Sequence, residues 1–176
     1  MNQNVKLWLR AANPFTPPRG MIEAQRAARV GAVALVIGAV QGLASIPFMS
    51  GAMDRSMDLM TQGADMPAES QAFSEAMITA MAPMMVIGVV AFSILYLVLA
   101  VVQWRKMTWV IPAIMLAFLG YSLLSALSGV VMLGGMVMKL YTVVTFIQWI
   151  IMLATAFLYV AAFRGGRMLD QLKRSF

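Results

Sequence analysis

The chain has 176 residues, of which 61% are hydrophobic and only 11% charged, with a net charge of +6 and a mean hydropathy of +0.82. Soluble domains carry about 25% charged residues, so this composition is typical of membrane proteins. The chain has no cysteine and no histidine. These absences exclude disulfide scaffolds, histidine-ligated haem, the usual zinc sites and Ser-His or Cys-His catalytic pairs.

Residues 1–28 are predicted to form a basic cytoplasmic segment. Within it, residues 5–10 favour a short helix on the membrane surface, with Trp8 at headgroup depth and Lys6 and Arg10 in water. The run 13–20 contains three prolines, which fix φ and disfavour helix in the residues before them. This run is therefore predicted to be an extended connector, and a new helix is expected to begin near Met21.

Four apolar runs are each long enough to cross a membrane as a helix. About 20 helical residues, at roughly 1.5 Å each, cross the ~30 Å hydrocarbon core. The runs form a transmembrane domain predicted over 29–163, with spans at 30–49, 76–102, 107–133 and 140–163.

The segments between and after the spans are polar. The segment 50–75, which is acidic overall, is predicted to form the outer loop, and Ser70 is a candidate N-cap of the second span. Residues 164–176 are predicted to be a basic cytoplasmic tail. Four aromatic residues near span ends are expected at the membrane interface, where amphipathic rings are favoured: Trp104, Trp109, Tyr141 and Tyr159.

The basic residues predict the topology. Eleven of the 13 lysines and arginines lie in the N-terminal region through Arg29, in the turn 103–106 and in the tail. The positive-inside rule places these segments in the cytoplasm. The sequence thus predicts an all-α integral membrane protein, an antiparallel bundle of four transmembrane helices with both termini cytoplasmic, in a bacterial inner membrane. The predicted topology anchors are Arg26, Arg29, Arg105, Lys106, Arg164 and Arg167.

A few polar residues interrupt the spans. Gln41 and Gln148 lie at similar predicted depth, which permits a hydrogen bond between helices. A stripe of hydroxyl groups is predicted on the third span: Tyr121, Ser122, Ser125 and Ser128. These residues are interpreted either as contacts between helices or as the lining of a polar cavity for a small solute, a quinone headgroup or a lipid.

Small residues recur along the first span. Ala34, Gly38 and Gly42 are spaced by four residues, so they share one face and permit close approach of another helix. Ser125 and Gly129 repeat this spacing on the third span. The partner helix is expected in the same chain or in another subunit.

The 18 methionines are concentrated near the predicted outer side. Thioethers are soft ligands that bind Cu(I), so Met53, Met57, Met81 and Met84 are candidate ligands for that ion. The favoured interpretation is packing or an adaptable partner surface, because methionine fills irregular gaps. No metal site is therefore favoured.

The predicted spans contain no Asp, Glu, Lys or Arg. Charged residues within a bilayer usually mark proton relays, ion pathways or counter-ions, so a proton-coupled carrier is not expected. Nor does the chain carry a nucleophile–base pair or metal-binding carboxylates that would indicate an enzyme. Its cations flank apolar segments and form no basic face with stacking aromatics, so nucleic acid is not an expected partner.

The favoured hypothesis is a non-catalytic accessory or assembly subunit of a larger membrane complex. Its expected partners are the lipid bilayer and other membrane subunits or further copies of itself. No cofactor is expected, although bound lipids are. The alternative is a small transport or ligand-binding bundle for an uncharged solute, a lipid or Cu(I).

Overall fold

The structure is a computed structural model that describes residues 2–61, 68–133 and 143–175. These residues form five helices: α1 (Gln3–Ala12), α2 (Met21–Thr61), α3 (Ala68–Lys106), α4 (Val110–Leu133) and α5 (Val143–Arg174). Each of α2 to α5 contains a segment long and apolar enough to cross a membrane. The prediction of an all-helical chain with four candidate membrane spans is thus confirmed.

Three helices, α2, α3 and α5, extend beyond the predicted spans, whereas α4 begins at Val110, three residues after the predicted start at 107. The region predicted as the outer loop is helical at both ends, because α2 continues to Thr61 and α3 begins at Ala68. Ser70 accordingly lies inside α3 rather than at its N-cap. These extensions contain several Ala, Met and Glu residues, which favour helix even in polar sequence. The predicted start of the fourth span at residue 140 lies outside the described residues.

The two central helices are α2 and α5. α2 packs along both α5 and α3, whereas α4 packs chiefly against α5. α3 and α4 are joined by the short turn 107–109, yet they scarcely contact each other over the described residues. The helices therefore follow the spatial order α3, α2, α5, α4, with a gap between the two outer helices.

Glycine brings α2 and α5 into close contact near the end of α5. A Cβ atom on Gly165 would lie 2.6 Å from Ala27 Cβ and 2.7 Å from the backbone nitrogen of Ala28. A Cβ atom on Gly166 would lie 2.8 Å from the backbone nitrogen of Trp109. The segment predicted as a basic tail is therefore a continuation of α5 as far as Arg174, and its first turn is packed against α2 and the α3–α4 turn.

Gln103 ties α2 to the turn between α3 and α4. Its side chain is fully buried, and Nε2 donates to the backbone oxygens of Ala28 and Thr108, each at 2.9 Å. Met107, the first residue after α3, has a φ of 50°, in the left-handed region where a chain commonly leaves a helix. The buried Gln103 amide thus joins the turn, through Thr108, to α2, through Ala28.

The short N-terminal helix docks onto the bundle. The side chain of Asn2 caps α1 by accepting from the backbone nitrogen of Asn4 at 3.3 Å. Arg10 lies 3.8 Å from Glu23 of α2, and the Trp8 ring stacks on Trp104 with centroids 6.3 Å apart. The helix predicted for residues 5–10 is therefore present as part of α1 and is held against α2 and α3.

Candidate functional site

A cavity of about 500 Å³ lies between α2, α3, α4 and α5. Because α3 and α4 scarcely contact each other, we infer that the cavity opens between them, where Phe92 of α3 and Ser122 of α4 line it. Ser122 lies roughly 18 Å along α4 from its start at Val110, more than halfway through a ~30 Å hydrocarbon core. This cavity is hereafter called the cleft.

The polar groups of the cleft are uncharged. Its polar lining consists of Gln41, Ser45, Ser93, Tyr96, Ser122, Gln148, Thr155 and Tyr159, with Trp149 among its other residues. A pocket of this volume matches the size range of small-molecule sites, about 300–1,000 Å³, in which a few polar groups orient an otherwise apolar ligand. The cleft therefore has the composition of a binding site for an uncharged molecule.

Three hydroxyl groups in the cleft already donate to their own helices. Ser45 donates to the Gly42 carbonyl at 2.6 Å, and Ser93 donates to the Val89 carbonyl at 2.8 Å. Thr155 does the same to the carbonyl three residues before it, at 2.9 Å. Each hydroxyl oxygen keeps its acceptor lone pairs. These three groups consequently offer acceptors to a ligand that carries a hydroxyl or N–H donor.

The structure brings Gln41 and Gln148 together, as their predicted depths allow. Gln41 Nε2 donates to the backbone oxygen of Gln148 at 3.4 Å, so the contact joins a side chain to a main chain rather than two side chains. Both residues and Ser45 also line a second groove of about 420 Å³ between α2 and α5. They consequently separate the cleft from this apolar groove.

The small-residue face of α2 packs against α3 within the chain. A Cβ atom on Gly38 would lie 2.9 Å from Cε2 of Tyr96, and one on Gly42 would lie 3.0 Å from Oγ of Ser93. The glycines thus let a tyrosine ring and a serine hydroxyl sit directly against the α2 backbone at the edge of the cleft.

Tyr159, predicted near a span end at the membrane interface, is buried within the bundle. It is 2% exposed and belongs to the same buried cluster as Leu35 and Met115, against which Tyr96 packs. Its ring therefore faces the other helices rather than lipid.

The structure divides the predicted hydroxyl stripe on α4. Ser122 lines the cleft, whereas Tyr121, Ser125 and Ser128 lie outside it and are exposed. Ser128 Oγ donates to the backbone oxygen of Ser125 at 2.9 Å. Each residue advances about 100° around the helix, so Tyr121 points about 100° from Ser122. Each three-residue step leaves an offset of about 60°, so Ser125 and Ser128 turn progressively away from the cleft, and Ala126 lines it instead.

The candidate copper ligands lie in the C-terminal part of α2 and the N-terminal half of α3, away from the α3–α4 turn. Met81 and Met84 are exposed on α3 by 41% and 73%, and Met53 is half-buried on α2. Met57 belongs to α2, but its side chain is outside the described set. Met53, Met81 and Met84 do not line the cleft.

The predicted anchors surround the end of the bundle that carries the α3–α4 turn. Arg29 lies over the Trp104 ring at 5.4 Å, and Arg167 over the Phe163 ring at 5.7 Å. Arg164 donates to the backbone oxygen of Pro14. Arg26 is half-buried, and Arg105 and Lys106 are exposed.

Sequence reasoning missed several residues that shape this region. Gln103 was grouped with the basic turn although it is buried, and Gly165 and Gly166 were assigned to the tail. A glycine pair just beyond an apolar run was the available signal, because adjacent glycines in a helix permit close packing. Ser93 and Thr155 carried no distinguishing pattern.

Comparison of the chain with protein-family models, curated proteins and solved structures gives no match. The functional argument consequently depends on the cleft and on the chemistry of its lining. That lining supplies hydrogen-bond donors, acceptors and aromatic faces, which are groups that bind and orient a molecule.

Proposed function

We propose that this protein is a non-catalytic membrane protein that binds an uncharged amphiphilic molecule in its four-helix bundle. The observation that carries the proposal is the cleft itself, a cavity of about 500 Å³ with an entirely uncharged polar lining and an opening between α3 and α4. A molecule dissolved in the bilayer reaches this opening sideways, without crossing a water-filled path.

The lining indicates the class of ligand. The free lone pairs of Ser45, Ser93 and Thr155 favour a headgroup with hydroxyl or N–H donors. A charged headgroup would lose its hydration without gaining an opposite charge, which is costly at this depth. A monoacylglycerol or a reduced quinone satisfies both conditions. The protein needs no cofactor to bind such a molecule.

Ser122→Phe is expected to weaken binding of a monoacylglycerol by about tenfold, because the ring would occupy the mouth of the cleft. Binding is measured by native mass spectrometry of the detergent-solubilised chain titrated with monooleoylglycerol. Ser128→Phe is the matched control, since it adds the same ring to α4 away from the cleft. Equal binding by the two variants would contradict the proposal.

We further infer an antiparallel arrangement with both termini on the cytoplasmic side of a bacterial inner membrane. In support, Gln103 contacts Ala28 and Gly165 packs on Ala27, so the three basic segments are neighbours. One membrane side for all three satisfies the positive-inside rule. Because the chain lacks cysteine, single cysteines at Asn2 and Ser175 can test this by labelling with an impermeant reagent. Reaction of either one from the outer side of intact cells would refute the topology.

A second candidate function is that of an accessory or assembly subunit of a larger membrane complex, and the outer face of α4 favours it. Tyr121 is 72% exposed midway along the apolar part of α4, and no described residue hydrogen-bonds its hydroxyl. Such a hydroxyl facing hydrocarbon is costly, whereas a helix of another subunit can satisfy it. Gly120 leaves open space beside it for close approach. Purification in mild detergent is expected to recover a second membrane protein, and recovery of monomer alone would exclude this candidate.

A further inference from the structure

Another apolar groove, distinct from the one between α2 and α5, lies between α2 and α3, close to the α3–α4 turn. It has a volume of about 420 Å³ and is lined on the α2 side by Ala32, Val33 and Val36. Its α3 side is formed by Leu97, Ala100, Val101, Trp104 and Arg105. The groove is thus apolar over most of its length and ends at an indole ring and a guanidinium group.

Two arginines stand at this end of the groove. Arg105 lines it directly, and Arg29 precedes Val33 by one helical turn on the same face of α2. The Arg29 guanidinium lies 5.4 Å from the centroid of the Trp104 ring. Trp104, which lines the groove beside Arg105, therefore also contacts Arg29.

Neither arginine is neutralised by the described part of the chain. The two ion pairs found there join Arg10 to Glu23 and Arg174 to Asp170. Nε of Arg29 is shielded from solvent and lacks a hydrogen-bond partner among the described residues. Arg29 as a whole is half-buried, so its terminal N–H groups, rather than Nε, are the donors that an added anionic acceptor can reach.

The aromatic residues indicate the depth of this end. Trp8 of α1 stacks on Trp104 with centroids 6.3 Å apart and ring planes at 11°. Tryptophan is favoured at the level of lipid headgroups, where its ring is partly wet. The arginines consequently lie where a lipid phosphate lies, and the apolar groove runs from there along α2 and α3.

We propose that this groove is a specific binding site for an anionic phospholipid. The phosphate accepts hydrogen bonds from Arg29 and Arg105, which suit planar, bidentate recognition of phosphate oxygens. One acyl chain lies on the groove between Val36 and Val101. This site is separate from the cleft, which takes an uncharged headgroup through a different opening.

The test titrates the delipidated full chain with dioleoylphosphatidylglycerol or dioleoylphosphatidylcholine and counts bound lipid by native mass spectrometry. The two lipids share their acyl chains, so the comparison isolates headgroup charge. The first phosphatidylglycerol is expected to bind roughly tenfold more tightly than phosphatidylcholine. Arg29→Gln with Arg105→Gln is expected to reduce this preference to about twofold or less. Equal binding of the two lipids by the unmodified chain would overturn the proposal.

Lys173→Gln with Arg174→Gln is the matched control, because it removes the same charge at exposed positions of α5 away from the groove. This control is expected to keep the preference, and an equal loss would mean general attraction of anionic lipid rather than a site. Arg105→Gln alone changes an exposed residue, so it reports on the site even if replacing Arg29 impairs folding.

Val101→Trp fills the groove and leaves both arginines in place. It is expected to weaken phosphatidylglycerol binding about fivefold, since the acyl chain loses its surface. Unchanged binding by this variant would place the lipid elsewhere. Glycerol 3-phosphate, which carries the headgroup chemistry without chains, is expected not to compete at equal concentration. Effective competition would assign the site to a soluble phosphate instead.

Discussion

Gly165→Ala is expected to lower the free energy of unfolding by about 3 kcal/mol, near the upper end of the usual cost of overpacking. The added methyl group would lie 2.7 Å from the Ala28 backbone nitrogen and 2.8 Å from the Ala24 backbone oxygen. Both atoms belong to the backbone of α2, so neither can turn aside as a flexible side chain would. The two central helices must separate to accept one carbon atom.

The measurement is the fraction of chain that stays monodisperse in detergent after heating, determined across a temperature series. Gly88→Ala is the matched control, because nothing lies within 4 Å of a Cβ atom at this position of α3. In a helix this control is expected to be neutral or to stabilise by up to ~1 kcal/mol, since glycine is a poor helix former. If both variants melt at the same temperature, the close contact of α2 and α5 does not determine stability.

Gln103→Leu is expected to lower the free energy of unfolding by about 1–2 kcal/mol, because the loss of two donated hydrogen bonds is partly offset by removal of Oε1, a buried atom without a hydrogen-bond partner among the described residues. The substitution keeps the apolar bulk but removes the donor shared by the Ala28 and Thr108 carbonyls, and the Thr108 carbonyl is in a turn. Gln103→Glu is expected to cost more, because a buried carboxylate would face two carbonyl oxygens. The order of stability is therefore glutamine, leucine, glutamate.

The role of Gln103 can also be tested by measuring how readily the α3–α4 turn opens. A cysteine introduced at Trp109 is expected to react faster with a thiol reagent in the Gln103→Leu background than with Gln103 present, because the turn is no longer tied to α2. Gln171→Leu is the control, as this glutamine is exposed near the end of α5. An unchanged labelling rate would show that the amide does not hold the turn.

The fold was largely predictable from the sequence because long uncharged apolar runs have few alternatives to membrane-spanning helices. The position of each helix was less predictable. α4 is uncharged and largely apolar on every side, so its sequence has no strong polar stripe that specifies which face meets its neighbours. The gap between α3 and α4, which opens the cleft, therefore follows from packing rather than from a readable pattern.

The candidate site was predictable in part. Gln41, Gln148 and Ser122 line the cleft, and a rare polar residue within an apolar run was sufficient to single them out. Ser93 and Thr155 needed the structure, because hydroxyl residues that bond to their own helix are common and carry no orientation signal. Gln103 was misjudged since a polar residue beside a basic turn is usually solvated, whereas here α2 covers it.

The spatial order of the helices also constrains how the chain is made. α4 packs chiefly against α5, which leaves the ribosome after it. Until α5 arrives, α4 lacks its main protein neighbour among the described helices and rests in lipid on most sides. A ribosome stalled after α4 would thus expose an isolated helix to membrane proteases. The uncharged and largely apolar surface of α4 suits this waiting period, and the bundle closes only once α5 has been made.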